Sequence, residues 1–332
     1  MSDAKVKTAV KKHKTTQSPK KKIGGRQVIV LDHARVDPSH CLADGLFRPM
    51  RRGDQKTASM DIHYRYKEFT FWWRNYQLLD ISDQSVFLAL HRLAAERGRT
   101  ERIGPETQDP TFLTLRSALN MKLDAAELQC LAFSTSLNEI AKLIGLTNTG
   151  PNLKAIKDSL LRISGVSFVI YKGEDHTSSF WQANLISQLA GTNGQVVIAV
   201  NPLLGKALVG KPSTFVSMEE QRQLKSDPAK RLHLWLSSWA SSTERRRIEL
   251  DTLIPHVWGN QEVSGSSTHR RRRGILRKAL DDIASLNGWT IDTDEKTNMI
   301  TVQKPELAFA EDNVPEKDDL LLEAKDVTHL EE

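Results

Sequence analysis

A long amphipathic segment near the C-terminal end, Ser267–Asn287, sets the strongest limit on the fold of this 332-residue chain. Its second half carries apolar residues at the three- and four-residue spacing of one helical face. Gly288 follows as a C-cap, and Trp289–Thr293 and Met299–Gln303 alternate around the polar stretch Asp294–Asn298. The pattern predicts a helix that packs along one face and leads into a β-hairpin. The apolar stripe consists of Leu276, Ala279, Leu280, Ile283 and Leu286.

Two further helices in the first half of the chain precede a similar set of strands. The Ser136–Glu139 stretch has the S-x-x-E pattern of a capping box and opens the first of them. After the turn Gly145–Gly150, Pro151 begins the second, which ends at Ile163. The order of helices followed by a hairpin occurs in both halves of the chain, which indicates two winged helix-turn-helix domains. The other predicted strands are Gln27–Leu31, Asp61–Tyr66, Phe69–Trp73, Val166–Tyr171, Phe180–Leu185, Gln195–Val200 and Arg247–Leu250. The other predicted helices are Ser82–Glu96, a helix capped by Asp227-Pro228, and Asp251–Trp258. We expect an ordered arm or loop at His33–Arg52 and a polar insertion at Arg97–Pro110.

Composition excludes several classes of protein. A content of 39% hydrophobic and 27% charged residues fits a globular protein of about two domains. The chain contains no apolar run close to the roughly 18 residues of a membrane span, and no apolar segment follows the basic N-terminus as a secretory signal requires. The two cysteines, Cys41 and Cys130, are far apart and are expected to be reduced thiols of a cytosolic protein.

The net charge of +6 hides a strong asymmetry between the two ends. Residues 1–26 carry a net charge of +8, and residues 304–332 carry −7. Both ends have too few large apolar residues to form a core, so they are predicted to be disordered tails. A basic arm and an acidic tail are typical of proteins that handle polyanions, although a solvated leader would look the same.

The first turns of the helix Ser267–Asn287 concentrate positive charge. Arg270–Arg273 are consecutive, and Arg277 and Lys278 follow. Cations at a helix N-terminus oppose the macrodipole, by roughly 0.3–1 kcal/mol each when they are exposed. DNA would supply the missing anions, because the N-terminal part of a recognition helix meets base edges and the arginine fork reaches both acceptors of guanine. The alternative is a solvated basic face without a ligand.

Two other groups of residues are less specific. The helix Asn152–Ile163 carries three cations, so contact with phosphates or with a protein fits it as well as base reading does. An aromatic group could stack on single-stranded bases, but its period-2 spacing favours packing in a core or an interface. The cations are Lys154, Lys157 and Arg162, and the aromatic residues are Tyr64, Tyr66, Phe69, Phe71, Trp72, Trp73 and Tyr76.

Motifs for catalysis are incomplete. Gly205–Lys211 matches the start of a P-loop, but Pro212 stands where a Ser or Thr would ligate magnesium. The sequence contains no His-x-His pair of the kind found in rolling-circle nucleases and no C-x-x-C motif for zinc. We therefore expect no catalytic residues, no metal and no cofactor, against the alternative of a nicking or helicase enzyme.

Two blocks of the sequence resemble a known family. HARVDPSHCLADGLFRPMRRG begins at His33, and LDTLIPHVWGNQEVSGSSTHRRRRGILRKAL begins at Leu250 and is followed by NGWTID. Together they resemble the RepC replication initiators of IncQ-type plasmids, over most of residues 30–305. The resemblance implies a protein that binds directly repeated iterons in the plasmid origin and promotes opening of an AT-rich stretch. It also implies cooperation with a plasmid-encoded helicase and primase.

The sequence thus predicts an α+β protein with two tandem winged-helix domains and charged tails. The expected division is a basic arm at 1–26, an N-terminal domain at 27–205, a DNA-reading domain at 206–305 and an acidic tail at 306–332. The expected partner is double-stranded origin DNA, with possible self-association, and the alternative function is a transcriptional regulator that binds an operator as a dimer. The predicted DNA-binding residues are Ser267, Thr268, His269, Arg270, Arg271, Arg272, Arg273, Arg277, Lys278, Lys154, Lys157 and Arg162.

Overall fold

The computed structural model describes residues 32–50, 58–66, 68–96, 98–209, 213–260, 266–294 and 296–306. The basic arm 1–26, the strand expected at 27–31 and the tail beyond residue 306 lie outside these ranges. The described residues combine helices with antiparallel sheets, which makes the architecture α+β. The helices are α1 (Pro38–Leu42), α2 (Ile81–Ala94), α3 (Pro110–Ala118), α4 (Leu137–Leu143), α5 (Gly150–Ser164), α6 (Pro202–Val209), α7 (Met218–Gln223), α8 (Asp227–Trp239), α9 (Leu253–Trp258) and α10 (Ser266–Ala284). The strands are β1 (His33–Val36), β2 (Met60–Tyr66), β3 (Phe69–Asn75), β4 (Glu101–Ile103), β5 (Lys122–Leu123), β6 (Cys130–Ser136), β7 (Ser167–Lys172), β8 (Ser179–Asn184), β9 (Ile186–Ala190), β10 (Gln195–Val200), β11 (Thr214–Ser217), β12 (Arg246–Glu249), β13 (Thr290–Asp294) and β14 (Met299–Gln303).

The strands of the described residues pair in four antiparallel sheets. The largest has the order β2-β3-β7-β8-β5, and the next has the order β4-β6-β10-β9. Strand β1 pairs with β11, and β12-β14-β13 form the sheet closest to the C-terminal end. In this last sheet β13 and β14 are the two strands of a hairpin, with Thr290 opposite Gln303 and Asp294 opposite Met299.

Three hydrophobic clusters lie within the described residues: two large cores, and a small one that joins α3 to strands β4, β6 and β10. The larger one is built from α1, α2, α4, α5, α6 and the strands around them. The second core joins α8, α9 and α10 to the sheet of β12, β13 and β14. Burial of apolar side chains contributes about 25 cal/mol per Å², so each core is a substantial source of stability. Leu204, Leu208, Val216 and Met218 pack in the first core, and the domain boundary expected at 205/206 stays a prediction.

The segment that carries the first family-like block connects the two cores, and the prediction that it is an ordered arm or loop is wrong for residues 33–42. It forms β1 and α1, because β1 finds a hydrogen-bonding partner in β11, far along the chain. Arg231 of α8 is fully buried and donates to the carbonyls of Cys41 and Ala43, at 2.8 and 2.9 Å. The Nδ1 atom of His256 lies 2.5 Å from a carboxylate oxygen of Asp44. These contacts hold the second core against the first.

Several local predictions are confirmed. The Ser136 hydroxyl accepts from the backbone N–H of Glu139 at the start of α4, and Pro151 lies in the first turn of α5. Helix α10 ends at Ala284 rather than at Asn287, so the prediction that Gly288 is its C-cap is wrong. Gly288 lies in the turn before β13, and its φ of +83° is a backbone conformation that favours glycine. The N-cap of α8 is Ser226 rather than Asp227, because the Ser226 hydroxyl accepts from the backbone N–H of Ala229. Strand β9 and helix α3 have no counterpart among the sequence predictions.

Candidate nucleic-acid interface

The inward face of α10 is anchored in the second core. Leu276, Ala279, Leu280 and Ile283 are almost fully buried, as their helical spacing predicts. The anchor leaves the other side of the helix accessible, since α10 contacts α8, α9 and β13 on the inward side. A rigid helix with one free face is a suitable platform for side chains that contact a ligand.

The outward face of α10 is strongly basic. Residues follow each other by about 100° around a helix, so positions three and four apart share a face. Arg270, Arg271, Arg277 and Lys278 are all exposed, and Ser267 and Thr268 of the first turn are exposed beside them. The face therefore carries four cations in two sequence-adjacent pairs. One pair lies about one helical turn before Gly274, and the other lies about one turn after it.

The consecutive arginines do not all face outward. Arg273 donates to both carboxylate oxygens of Asp251, with Nε 2.6 Å from Oδ1. This hydrogen bonding lowers the pKa of the Asp251 carboxyl. Arg272 is partly buried, and its guanidinium carbon lies 5.1 Å from the ring centroid of Trp258. Asp251 and Trp258 belong to the short helical segment that precedes α10. The two arginines therefore hold the start of α10 against this segment.

His269 belongs to the same inner side of the helix. Its Nδ1 atom lies 4.0 Å from Asp251 Oδ1, and its side chain is 40% exposed. With Arg273 it gives Asp251 two basic neighbours, one turn apart on α10. The predicted site residues of this helix thus divide into an outward set and a set that contacts the protein.

The hairpin after α10 is fixed to the outward face. Arg277 donates to the side-chain oxygen of Asn298 at 2.8 Å. Asn298 ends the turn with a φ of +54°, and its carbonyl accepts from the N–H of Leu250. At the other end of the turn, Asp294 accepts from the backbone and hydroxyl of Thr297, which lowers the pKa of its carboxyl. The hairpin and α10 therefore present one continuous surface.

The corresponding helix of the first core, α5, is less basic. Lys154 pairs with Asp158 at 3.1 Å, so one of its two outward lysines is balanced by a carboxylate, and Lys157 is the other. Leu161 lies on the same face and is 63% exposed. Arg162 points inward, where it binds the fully buried carboxylate of Asp83 at 2.8 Å. Its role in this structure is to neutralise a buried charge.

The aromatic group divides between the core and the surface. Phe69, Phe71 and Trp73 are buried in the first core, as the packing interpretation predicts. Trp72 lies on the other face of β3, where the guanidinium of Arg74 is 3.9 Å from its ring centroid. Tyr76 is 93% exposed beyond the end of the strand.

The structure shows where the motifs that could bind a metal or a nucleotide lie among the described residues. No group of three or more His, Cys, Asp or Glu residues is arranged to hold a metal ion within the described residues. Residues 205–209 of the P-loop-like stretch belong to helix α6, and residues 210–212 lie outside the described ranges. Cys41 and Cys130 are both buried free thiols, and burial raises the pKa of Cys41 to about 12. No helix among the described residues is long and apolar enough to span a membrane.

Sequence reasoning missed the residues that position the basic face. Asp251, Trp258 and Asn298 contact Arg273, Arg272 and Arg277, respectively. Asp251 lies 22 residues before its partner, so no local spacing rule links the two. The division of the arginine run into outward and inward members could have been found by projecting the run onto the apolar stripe.

The chain is a replication initiator. It belongs to the Replication protein C (RepC) family, whose sequence model matches residues 28–306. No curated protein sequence matches the chain. The resemblance in the two sequence blocks is thereby confirmed at the level of the family.

A comparison with solved structures concerns the fold of the chain. A crystal structure of a selenomethionine derivative of domains 2 and 3 of RctB is similar, with a TM-score of 0.50 and 14% sequence identity. The similarity covers 82% of this chain and 100% of that chain. A second crystal structure of RctB domains 2–3 has a TM-score of 0.48 and 14% identity, with 81% and 97% covered. At this level of identity the likeness concerns the fold alone.

Proposed function

We propose that this replication initiator binds directly repeated iterons in a plasmid origin, and that the outward face of α10 reads their bases. The observation that supports the proposal most strongly is that four cations, Arg270, Arg271, Arg277 and Lys278, lie together on one exposed helix face. The opposite face of α10 is buried in the second core, so the side chains of these cations are not needed to cover apolar surface of the helix. A partner with regularly spaced anions fits such a face.

The order of elements in the second core supports a winged-helix reading of this part of the chain. Helices α8, α9 and α10 are followed by the hairpin of β13 and β14, and β12 joins the hairpin as a third strand. In that arrangement α10 is the recognition helix, and the hairpin is the wing beside it. In the first core, helices α2, α4 and α5 precede the paired strands β7 and β8, while β1 to β6 lie before or between these helices. The order of the three helices and the following hairpin supports a second unit of the same kind.

Duplex DNA matches the chemistry of this face. Arginine can donate to O6 and N7 of guanine together, and lysine and arginine neutralise phosphates. The contact between Arg277 and Asn298 brings the hairpin next to the helix, so the wing would lie against the backbone beside the groove. Lys154 and Lys157 of α5 would add phosphate contacts, which orient a protein on DNA without reading sequence.

Initiation on this account is driven by binding. Several copies on direct repeats strain the duplex, and an AT-rich stretch nearby opens because it is the easiest to deform. The family resemblance supports a plasmid-encoded helicase and primase as the next partners, and it supports a protein with no catalytic step of its own. The site would be complete in a single chain in the bacterial cytoplasm, although copies could associate on the array.

The test is a titration of labelled duplexes that carry one iteron or a shuffled sequence. Arg270→Ala combined with Arg271→Ala should lose about 1–3 kcal/mol of iteron binding for each base-reading arginine, with the melting temperature unchanged. Arg65→Ala is the matched control, because it removes an exposed arginine of β2 that pairs with Glu174 in the first core. Equal iteron affinity in the wild type and the double variant would reject the assignment of the face.

The number of chains on one iteron separates the initiator from the dimeric regulator. Two tandem winged helices form an asymmetric reader, whereas a dimeric repressor matches a two-fold symmetric operator. Light scattering of the complex on a one-iteron duplex should give one chain for each duplex. Two chains bound symmetrically would favour the regulator.

A further inference from the structure

We propose that Gly274 is the point at which the backbone of α10 comes into direct contact with the base edges of the bound duplex. The inference rests on the proposed function and adds a residue to the site. Gly274 is the ninth residue of a nineteen-residue helix, well away from either end. Glycine is among the least favourable residues in a helix interior, so its presence there needs a reason.

Packing within the protein does not supply the reason. A Cβ atom built on Gly274 has no heavy atom within 4 Å, so the described part of the protein leaves open space there. The backbone of Gly274 is helical, so a positive φ does not explain the residue either. An alanine would fit this position and would favour the helix, which means that the free protein gains nothing from glycine.

The surroundings of Gly274 point to DNA. Its neighbours at three and four positions on each side are Arg270, Arg271, Arg277 and Lys278, all of them exposed. These spacings place all four cations around Gly274 on one helix face. The helix surface therefore has a bare backbone patch at its centre and a ring of cations about it. A duplex drawn in by these cations would meet the backbone at Gly274, since no side chain keeps it away.

The missing side chain lets the helix lie deeper in the major groove. The arginines beside Gly274 could then reach base edges, and the remaining cations of the same helix face could reach phosphates on both strands. A methyl group at this position would lift the helix away from the bases, and it would leave the long flexible cations able to reach phosphates. The cost should therefore fall on sequence-specific binding.

The test compares Gly274→Ala and Gly274→Gln with the wild type in both stability and DNA binding. Gly274→Ala should raise the melting temperature by about 2 °C, because the helix is favoured and the unfolded chain is restricted. It should weaken binding to the iteron duplex by about 10-fold, which is the size of one mismatched base pair, and leave binding to shuffled duplex unchanged. Gly274→Gln should weaken iteron binding further.

A control separates stability from contact. Ala284→Gly changes an exposed residue near the end of the same helix, so it should lower stability and leave iteron affinity unchanged. If Gly274→Ala binds the iteron as the wild type does, the inference is wrong even when the double arginine variant loses binding. If the wild type does not discriminate the iteron from shuffled DNA, the proposed function itself fails.

Discussion

Arg273 holds Asp251 with two hydrogen bonds, one of them 2.6 Å between Nε and Oδ1. The pair fixes the first turns of α10 against the residues that precede α9. It also balances the charge of one arginine of the run, whose side chain stays 39% exposed. An arginine run that resembles a uniform basic patch in the sequence thus contains an internal positioning group.

Asp251→Ala should make DNA binding stronger and less selective. The change removes a carboxylate beside the basic face and releases Arg273 as a further cation. We expect higher affinity for shuffled duplex, a salt dependence steeper by about one counterion, and a lower ratio of iteron to shuffled affinity. Titrations at several salt concentrations measure all three quantities.

Glu174→Ala is the matched control for Asp251→Ala, because it releases Arg65 in the first core in the same way. It should leave the ratio of iteron to shuffled affinity unchanged. Loss of affinity on both duplexes in Asp251→Ala would show that the pair does not act as described.

Arg272→Ala should reduce stability more than it reduces base reading. The guanidinium lies over the ring of Trp258, and a contact of this kind contributes about 0.5–1 kcal/mol at a partly exposed site. Denaturant unfolding measures the loss in free energy of unfolding for Arg272→Ala, Trp258→Ala and the double variant. The losses of the two single variants should not add up to that of the double variant. An Arg272→Ala protein with wild-type stability and the binding defect of Arg271→Ala would place Arg272 among the base readers.

The ion pair between Arg162 and Asp83 should be essential for the first core. Asp83→Ala leaves a partly buried guanidinium without its carboxylate, and breaking a buried pair costs about 3–5 kcal/mol. Lys157→Ala, on the outward face of the same helix as Arg162, should leave stability unchanged and weaken binding to any duplex equally. Wild-type stability in Asp83→Ala would contradict the structural role of Arg162.

Acid should destabilise the protein through His91. Burial lowers the pKa of His91 to about 4 in the folded state, against 6.5 for a model histidine. Between these values the unfolded chain binds more protons, so stability falls as pH falls from 6.5 towards 4. From pH 7 to pH 5 the loss due to His91 is about 2 kcal/mol.

His91→Gln removes this titration and keeps a side chain that can donate to the carbonyl of Phe87, which lies 2.8 Å from Nδ1 in the wild type. Denaturant unfolding at pH 7 and pH 5 should show a smaller loss of stability in the variant than in the wild type. The same loss in both proteins would assign the acid sensitivity to other groups.

The sequence predicts the local elements well because their causes are local. The stripe from Leu276 to Ile283 and the N-cap at Ser136 both depend on residues within one or two turns. The failures involve partners far along the chain. Strand β1 exists because β11 pairs with it, and Arg162 turns inward because Asp83, 79 residues earlier, is buried beside it.

The candidate site shows the same division. The basic helix and its hairpin are predictable from charge and periodicity. The outward and inward arginines can be separated by projecting the run onto the apolar stripe, but the fold brings their partners Asp251, Trp258 and Asn298 to the helix. Composition and spacing do not reveal such neighbours.

Permanganate footprinting of a supercoiled plasmid that carries the origin tests the central claim most directly. With all iterons occupied by the wild-type protein, thymines of the adjacent AT-rich stretch should become reactive. Arg270→Ala with Arg271→Ala should leave them unreactive at the same protein concentration, and Arg65→Ala should behave as the wild type. An origin whose iterons are fully occupied and whose thymines stay unreactive would contradict the account of this chain as an initiator that opens DNA by binding.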